Sequence, residues 1–228
     1  RFATTLLAVS HTTAAHASSF FQFPSSKTVV IPSPVYVAPE QTTSTPRLRS
    51  DVVRLLAVGR LVEEKNHGFL LRVLEALRMR GCPVSLSIAG SGPLGEVLAA
   101  EAAQRELSNV ELLGYRDDVH QLMREHDLLV FPSLHEGMPN VVLEACSIGL
   151  PVLASDIPAV RELGVSSILV RPLDVDEWAT IIASPRCWQT QISAADREML
   201  ASRTLDRVLD SLAELYRSKP STMSEHVP

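Results

Sequence analysis

The stretch VRLLAVGRLVEEKNHGFLLRVLEALRMRGCPVSLSIAG, residues 53–90, holds two short apolar runs with a longer segment between them. The runs Val53–Val58 and Val84–Ala89 are rich in β-branched and other apolar residues, which predicts two strands. Between them a helix is predicted, ending near Gly81, because the apolar residues recur at the spacing of one helix face: Phe69, Leu70, Val73, Leu74 and Leu77. A strand, a helix and a strand in this order predict a βαβ unit with parallel strands.

The same alternation of strand and helix continues to residue 170. Further strands are predicted at Val110–Leu113, Leu128–Phe131, Pro151–Ala154 and Ile168–Val170. Further helices are predicted from Leu94 onward, at Val119–Glu125 with Asp118 as N-cap, and at Asn140–Ile148 before Gly149. The pattern is typical of an α/β fold with a doubly wound, Rossmann-like parallel sheet and helices on both faces. Ligands of such folds bind at the carboxyl ends of the strands, so the candidate sites are the loops after Val58, Ala89, Leu113 and Phe131.

The two ends of the chain differ from this central part. Thr4–Val9, with Ser10 as an N-cap, and Thr28–Ile31 predict one βαβ piece of a different sheet. Residues 32–49 contain four prolines and several Ser and Thr residues, which is typical of a linker between domains. Ala194–Arg217 predicts a long helical segment, and residues 219–228 are expected to be disordered.

The composition excludes several classes of protein. The 228 residues carry a formal net charge of −5, which argues against a nucleic-acid partner because proteins that bind the phosphate backbone are usually basic. The three cysteines, Cys82, Cys146 and Cys187, lie far apart without CxxC spacing, which favours reduced thiols in a cytosolic protein over a disulfide framework or a zinc site. No apolar run approaches the ~18 residues of a membrane-spanning helix.

The first residues loosely imitate a signal peptide, with the apolar stretch Phe2–Val9 and the small residues Ala15-His16-Ala17. Ser10-His11-Thr12-Thr13 interrupts the short apolar run, however, and the chain has no initiating Met. We therefore expect Arg1 to be a fragment boundary.

Two carboxylates, Glu136 and Glu144, are separated by seven residues in the stretch EGMPNVVLE. Amides and the dipole at the start of the predicted helix favour an anion such as a diphosphate, and Gly137 permits close approach of the backbone. Carboxylates here would repel phosphate, so we expect them to bind hydroxyls: Glu144 those of a ribose and Glu136 those of a sugar ring. The alternative is an acidic loop residue followed by a glutamate that suits the helix dipole, and the two glutamates alone favour this alternative.

Two cations, Arg60 and Lys65, directly follow the first strand of the predicted sheet. At this edge they can clamp a diphosphate, with arginine forming a forked contact and lysine acting as a point charge. The alternative is a solvated loop in which Glu63 and Glu64 pair with these cations for little energy. Together, the two motifs place cations, amides and hydroxyl acceptors at neighbouring strand ends.

Five stretches in this order resemble the C-terminal domain of family 4 glycosyltransferases, which have the GT-B fold. They are VGRL…KN (58–66), IAGSGP (88–93), LGYRDDV (113–119), FPS…EGMPN…EA (131–145) and GLPV (149–152). The resemblance covers about residues 4–31 and 53–217. It implies that residues 1–49 are the remnant of an N-terminal acceptor domain with its linker, and that residues 50–218 form the donor-binding domain, the C-terminal half of a GT-B fold.

The resemblance also implies roles for individual residues. Three would be catalytic: Arg60 and Lys65 match the pair that holds the donor's diphosphate, and Glu136 matches the residue that contacts the transferred sugar. The implied donor-binding residues are Gly59 beside the cations, Tyr115 and Arg116 in the loop flanking the base, Gly137, Met138, Pro139 and Asn140 in the loop whose amides face phosphates and sugar, and Glu144 on the ribose.

The implied reaction transfers a sugar from a nucleoside-diphosphate donor with retention of anomeric configuration. Arg60, Lys65 and the helix start would stabilise the negative charge that grows on the leaving group. The family usually needs no metal or other cofactor, so we interpret Asp117-Asp118 as helix capping rather than a metal motif. The implied partners are the nucleotide sugar and a glycan or lipid-linked acceptor, at a cytoplasmic location near the inner face of the membrane.

This chain departs from the family's pattern in its N-terminal part. Ser33-Pro34 stands where the family usually has Asn-Gly in the hinge, and the family's glycine-rich loop and histidine of the N-terminal domain have no match. We therefore expect the chain alone to bind a nucleoside diphosphate weakly and to transfer no sugar. Two other hypotheses remain: a stand-alone nucleotide-sugar-binding module without turnover, and another GT-B enzyme such as a nucleotide-sugar epimerase.

Overall fold

The computed structural model of the chain describes residues 5–35, 51–189 and 192–218, with only the backbone of Ser218. Its first part is a small unit of two parallel strands, β1 (Leu6–Ala8) and β2 (Thr28–Val30), joined by helix α1 (His11–Phe20). Ser10 caps α1 as predicted, since its side chain accepts a hydrogen bond from the amide of Thr13. The βαβ piece expected at the N-terminal end of the sequence is therefore present.

The main part is a six-stranded sheet in which every neighbouring pair is parallel. Its strands are β3 (Val53–Val58), β4 (Val84–Ala89), β5 (Val110–Gly114), β6 (Leu128–Phe131), β7 (Val152–Ser155) and β8 (Ile168–Arg171). The order across the sheet is β5-β4-β3-β6-β7-β8, so the direction of winding reverses between β3 and β6. The predicted doubly wound α/β fold is confirmed, and the six predicted strands match the observed ones to within one residue at each end. In such a sheet the ligand crevice opens where the winding reverses.

Helices cover both faces of this sheet. One apolar core contains buried residues of α2 (His67–Met79), α3 (Gly95–Gln104) and α7 (Val175–Ile182). The other contains buried residues of α4 (Val119–Glu125), α5 (Asn140–Ser147), α6 (Pro158–Arg161) and α8 (Ala194–Ala201). In the first core, Phe69 meets Trp178 edge to face with ring centroids 5.1 Å apart. The central strands β6 and β7 are therefore buried on both sides, which explains their nearly continuous apolar sequences.

The C-terminal helical segment is not the continuous element that the sequence predicts. It divides into α8 and a second helix, α9 (Leu205–Ser218). At the break, the hydroxyl of Ser202 donates to the carbonyl of Met199 at 2.6 Å, and the carbonyl of Arg203 accepts from the amide of Val35 at 2.9 Å. The helix ends at these contacts, which tie the break between the two helices to the segment that holds Val35.

Several predictions concern residues that the structure does not describe. Residues 36–49, the greater part of the expected linker, lie outside the described ranges, as does the tail at 219–228. Among the residues that are described, no helix is long and apolar enough to cross a membrane.

Glycines allow the loops at the carboxyl edge of the sheet to touch backbone to backbone. The amide of Gly59 donates to the carbonyl of Ala89 at 2.9 Å, and that of Gly90 donates to Gly114 at 2.7 Å. Gly90 has φ +152°, and a Cβ at this position would lie 1.8 Å from the carbonyl oxygen of Gly59. The loop that carries Arg60 therefore keeps its position only while residue 90 has no side chain.

We expect Gly90→Ala to lower the free energy of unfolding by at least ~3 kcal/mol, because backbone cannot yield as a flexible side chain does. Gly81→Ala is the matched control, since Gly81 also has a positive φ (+69°) but its Cβ would meet nothing within 4 Å. That variant should lose only about 1 kcal/mol. Equal losses for the two variants in urea denaturation would contradict the close approach of the loops.

Candidate functional site

An ion pair joins the two sequence motifs where the winding of the sheet reverses. Lys65 ends the 3₁₀ turn Glu63–Lys65 after β3, and Glu136 lies in the loop after β6. The Nζ atom of Lys65 lies 2.5 Å from Oε1 of Glu136, and the two side chains are only 19% and 11% exposed. The structure therefore brings Lys65 to Glu136 and does not pair it with Glu63 or Glu64, the alternative left open by the sequence.

Further contacts hold these two loops together. The amide of Leu134 donates to the carbonyl of Glu64 at 2.8 Å, and Nδ2 of Asn66 donates to the carbonyl of Pro132 at 3.3 Å. Lys65 also places its ammonium 5.6 Å from the centre of the Phe131 ring. The charges at the site thus lie on two loops that are fixed to one another.

Gly59 and Arg60 complete the β3 side of the site. A Cβ on Gly59 would lie 3.4 Å from Cδ and Cε of Lys65, so the glycine leaves room for the lysine side chain. Arg60 is exposed, and no carboxylate of the described residues lies within 4.0 Å of its guanidinium. Arg60 is therefore a cation available to a ligand, whereas Lys65 is already paired.

The loop from Gly137 to Pro139 presents backbone amides at the start of α5. Within the described ranges, the amides of Gly137 and Met138 donate to no protein acceptor, and no side chain caps α5. Asn140 begins the helix, and its Oδ1 is buried without a hydrogen-bond partner among those residues. Unpaired amides at a helix start form an anion-binding arrangement.

Glu144 faces the neighbouring helix α4. Its Oε2 lies 3.9 Å from Nε2 of His120, on the helix that follows the loop with Tyr115 and Arg116. Tyr115 is 79% exposed. Glu144 therefore borders the loop that the family resemblance assigns to the nucleotide base.

Asp118 occupies the N-cap position of α4, as the sequence predicts, but not as a side-chain cap. Its side chain makes no cap hydrogen bond to α4. Instead, Arg116 donates to both carboxylate oxygens at 2.7 and 2.5 Å, and this contact lowers the pKa of Asp118. The fork geometry of arginine suits two oxygens at once, so the guanidinium outcompetes a single backbone amide for the carboxylate.

His67 is a residue of this region that the sequence analysis missed. It begins α2 directly after Asn66, is 4% exposed, and neither ring nitrogen reaches hydrogen-bond geometry with a partner in the described part of the chain. Burial, together with the nearby charge of Lys65, lowers its pKa from 6.5 to about 4, although the carbonyls of Arg60 and Gly59 oppose part of this shift. A histidine two residues after Lys65, at the start of a predicted helix, was the available signal.

A sizeable cavity lies elsewhere. It has a volume of about 1180 Å³ and lies between α1 and β2 on one side and Met138, Glu162 and Arg203 on the other. Neither Lys65 nor Glu136 lines it, and Met138 alone connects it to the loop before α5. In the described residues, no cluster of three or more His, Cys, Asp or Glu side chains is arranged to hold a metal ion.

Solved structures with the same architecture define the class of this fold. HepE from Anabaena, determined in complex with UDP and glucose, superposes with a TM-score of 0.79 at 23% identity, covering 96% of this chain and 64% of that one. TarM from S. aureus gives a TM-score of 0.76 at 18% identity, covering 94% of this chain and 44% of that one. The fold is therefore that of the GT-B glycosyltransferases.

Residues 53–184 match the sequence profile of the family described as Glycosyl transferases group 1. The chain belongs to this family. It is 41% identical over 130 residues to the putative glycosyltransferase EpsF of Bacillus subtilis, covering 55% of this chain and 34% of that protein. It is 31% identical over 142 residues to the amylovoran biosynthesis glycosyltransferase AmsK of Erwinia amylovora, covering 57% and 35%. The chain thus spans about a third of the length of these relatives.

The buried imidazole gives a prediction for the dependence of stability on pH. Unfolded His67 takes up a proton below about pH 6.5, whereas folded His67 does so only near pH 4. Between pH 6.5 and pH 4 the unfolded state binds more protons than the folded state. The contribution of neutral His67 to the free energy of unfolding is therefore complete above pH 6.5 and is lost as the pH falls to 4. At 1.36 kcal/mol for each pKa unit, the loss amounts to about 3 kcal/mol.

We expect His67→Leu to have a flatter dependence of unfolding free energy on pH between 6.5 and 4 than the unaltered chain. Urea denaturation at several pH values measures both curves. Parallel curves for the two proteins would show that the imidazole is not buried in its neutral form.

Proposed function

We propose that this chain is the donor-binding half of a retaining glycosyltransferase that moves a sugar from a nucleoside-diphosphate donor to a glycan or lipid-linked acceptor. The contact between Lys65 and Glu136 beside the start of α5 is the observation that carries the proposal. It puts a cation, a carboxylate and unpaired amides at the strand ends where ligands of doubly wound sheets bind. UDP in the HepE structure supports a nucleotide as the ligand.

The pyrophosphate of the donor would bind Arg60, Lys65 and the amides of Gly137 and Met138. Arg60 is exposed and unpaired among the described residues, so it can grip two phosphate oxygens without breaking a protein contact. Lys65 lies between the proposed phosphate position and Glu136, and its charge reduces the repulsion between carboxylate and phosphate. This arrangement explains how a carboxylate can be tolerated beside an anion.

The same groups would assist departure of the nucleoside diphosphate. As the anomeric C–O bond breaks, the electron pair moves to the leaving phosphate oxygen, and Arg60, Lys65 and the amides would stabilise that charge. One such preorganised donor typically contributes about 3–4 kcal/mol to lowering the barrier. Glu136 would accept hydrogen bonds from hydroxyls of the sugar and hold its ring in place. Retention of configuration and independence from a metal are expectations drawn from the family resemblance.

The ribose and base would lie toward α4. Glu144 borders this side through its contact with His120 and can accept hydrogen bonds from both ribose hydroxyls. Tyr115 and Arg116 would flank the base, with backbone contacts from their loop. Because Arg116 is already engaged by Asp118, its side chain would contribute less than its backbone.

We expect the isolated chain to bind one of UDP, GDP or ADP in calorimetry, and Arg60→Ala to weaken that binding by about 10- to 100-fold, the value of one charge-assisted hydrogen bond. Glu144→Ala should weaken it by about tenfold through loss of the ribose contact. Arg80→Ala is the matched control, because Arg80 lies beyond the far end of α2 and pairs with Asp176 on the surface. Identical titrations for all four proteins would remove the site assignment.

A substitution at Glu136 should weaken binding of the donor's sugar and leave binding of its nucleotide nearly unchanged. We expect Glu136→Gln to bind UDP within about threefold of the unaltered chain, because it removes a charge that repels phosphate. Its preference for UDP-glucose over UDP should fall about tenfold, because a neutral amide is a weaker hydroxyl acceptor than a carboxylate. A parallel loss for both ligands would place Glu136 on the nucleotide and not on the sugar.

Since the chain spans about a third of the length of its relatives, we expect the isolated chain to bind its donor without transferring sugar. The name of one relative, an amylovoran biosynthesis glycosyltransferase, supports a role in polysaccharide biosynthesis, and a location at the cytoplasmic face of a membrane is an expectation drawn from the family resemblance. A full-length enzyme that binds donor but moves radiolabelled sugar to no glycan or lipid-linked acceptor would instead favour a binding module.

A further inference from the structure

The N-terminus of α1 packs against the unit that contains the six-stranded sheet. The amides of His11 and Thr12 donate to the carboxylate of Glu162, the second at 2.8 Å, and the Thr12 hydroxyl donates to it at 2.6 Å. Burial alone would raise the pKa of Glu162, but these hydrogen bonds outweigh it and lower the pKa. Glu162 thus satisfies amides of the first turn that the helix itself leaves free.

Ser10, at the start of this helix, makes a second hydrogen bond besides the one that caps the helix. Its side chain is buried, with the residue 2% exposed, and its Oγ accepts from the amide of Thr13 at 2.9 Å. The single proton of this hydroxyl is donated to the carbonyl of Gly137 at 2.6 Å, across 127 residues of sequence. The hydroxyl of Thr13 lies 3.3 Å from the same carbonyl. The carbonyl of Gly137 is therefore held toward α1.

This contact fixes the direction of the next amide. The peptide bond between Gly137 and Met138 is trans, so its N–H points opposite to its C=O. The amide of Met138 is consequently aimed away from α1, and it donates to no protein acceptor in the described part of the chain. Gly137 itself cannot carry a side chain without crowding α1, since a Cβ would lie 3.3 Å from Oγ1 of Thr13.

We propose that Ser10 is a positioning residue for the donor: by holding the carbonyl of Gly137, it aims the amide of Met138 at the pyrophosphate. This inference rests on the proposed function. Ser10 belongs to the two-stranded unit and Gly137 to the six-stranded one, so the shape of the donor loop depends on the docking of α1. Arg203 lies beside the same loop, since its Nη1 contacts Sδ of Met138 at 3.5 Å and its charge lies near Glu162, the carboxylate that binds the start of α1.

Calorimetry of the 228-residue chain with UDP and with UMP tests this role, because an amide that binds the terminal phosphate affects only the diphosphate. Where GDP or ADP binds more tightly, GDP with GMP or ADP with AMP replaces this pair. We expect Ser10→Ala to weaken the diphosphate about tenfold and to leave the monophosphate within about twofold. Ser10→Thr keeps the hydroxyl and should restore binding to within about threefold. Ser19→Ala is the matched control, because Ser19 lies on the same helix and its hydroxyl donates to the carbonyl of His16 and, among the residues described, to no part of the donor loop.

An NMR titration of the unaltered chain provides a second readout that does not depend on the folding of any variant. The ¹⁵N–¹H signal of Met138 should move with UDP and stay nearly still with UMP. Equal losses of UDP and UMP in Ser10→Ala, unchanged UDP binding in that variant, or a Met138 amide indifferent to UDP would each overturn the inference. Failure of the unaltered chain to bind any diphosphate would instead count against the proposed function.

Discussion

The ion pair between Lys65 and Glu136 links the two halves of the doubly wound sheet at their junction. The lysine follows β3 and the glutamate follows β6, the strands between which the winding reverses. Both side chains are mostly buried, so removing either partner would leave a charge with little water around it. Because α5 begins four residues after Glu136, the position of that helix start relative to β3 also depends on this contact.

The charges of the candidate site balance, which limits how strongly the site can attract an anion from a distance. Arg60 and Lys65 are opposed by Glu136 and Glu144, in a chain whose net charge is −5. Long-range attraction therefore contributes little to binding a diphosphate. In the proposed site the affinity would come from local geometry: one exposed arginine, the amides before α5, and a lysine whose charge the ligand would share with the carboxylate partner. Such a site is specific because its donors have fixed directions.

Much of the fold could be predicted because its signals are local. Each central strand is an apolar run bounded by turn residues, and α2 has one apolar face, so periodicity alone located them. The short helices α6 and α7 were not predicted, although α7 has an apolar face on which Trp178, Ala179 and Ile182 are buried. The break between α8 and α9 was missed for a different reason, since it depends on the contact of Arg203 with Val35, which lies 168 residues earlier. Lys65 and Glu136 were proposed as site residues from their loops, but their direct contact required coordinates.

The contact of Ser10 with Gly137 shows why part of such a site escapes sequence reasoning. Ser10 was predicted as a cap, and a serine that caps a helix needs only its oxygen lone pairs. Its proton remains available, and where that proton goes depends on what lies next to the helix start. Here the neighbour is a carbonyl, a group that every residue has and that no sequence pattern marks. A loop defined by its amides is therefore oriented by a hydrogen bond to its carbonyl, made by a residue of a separate sheet. In the proposed mode of donor binding, the ligand and α1 would therefore contact opposite sides of the same peptide plane.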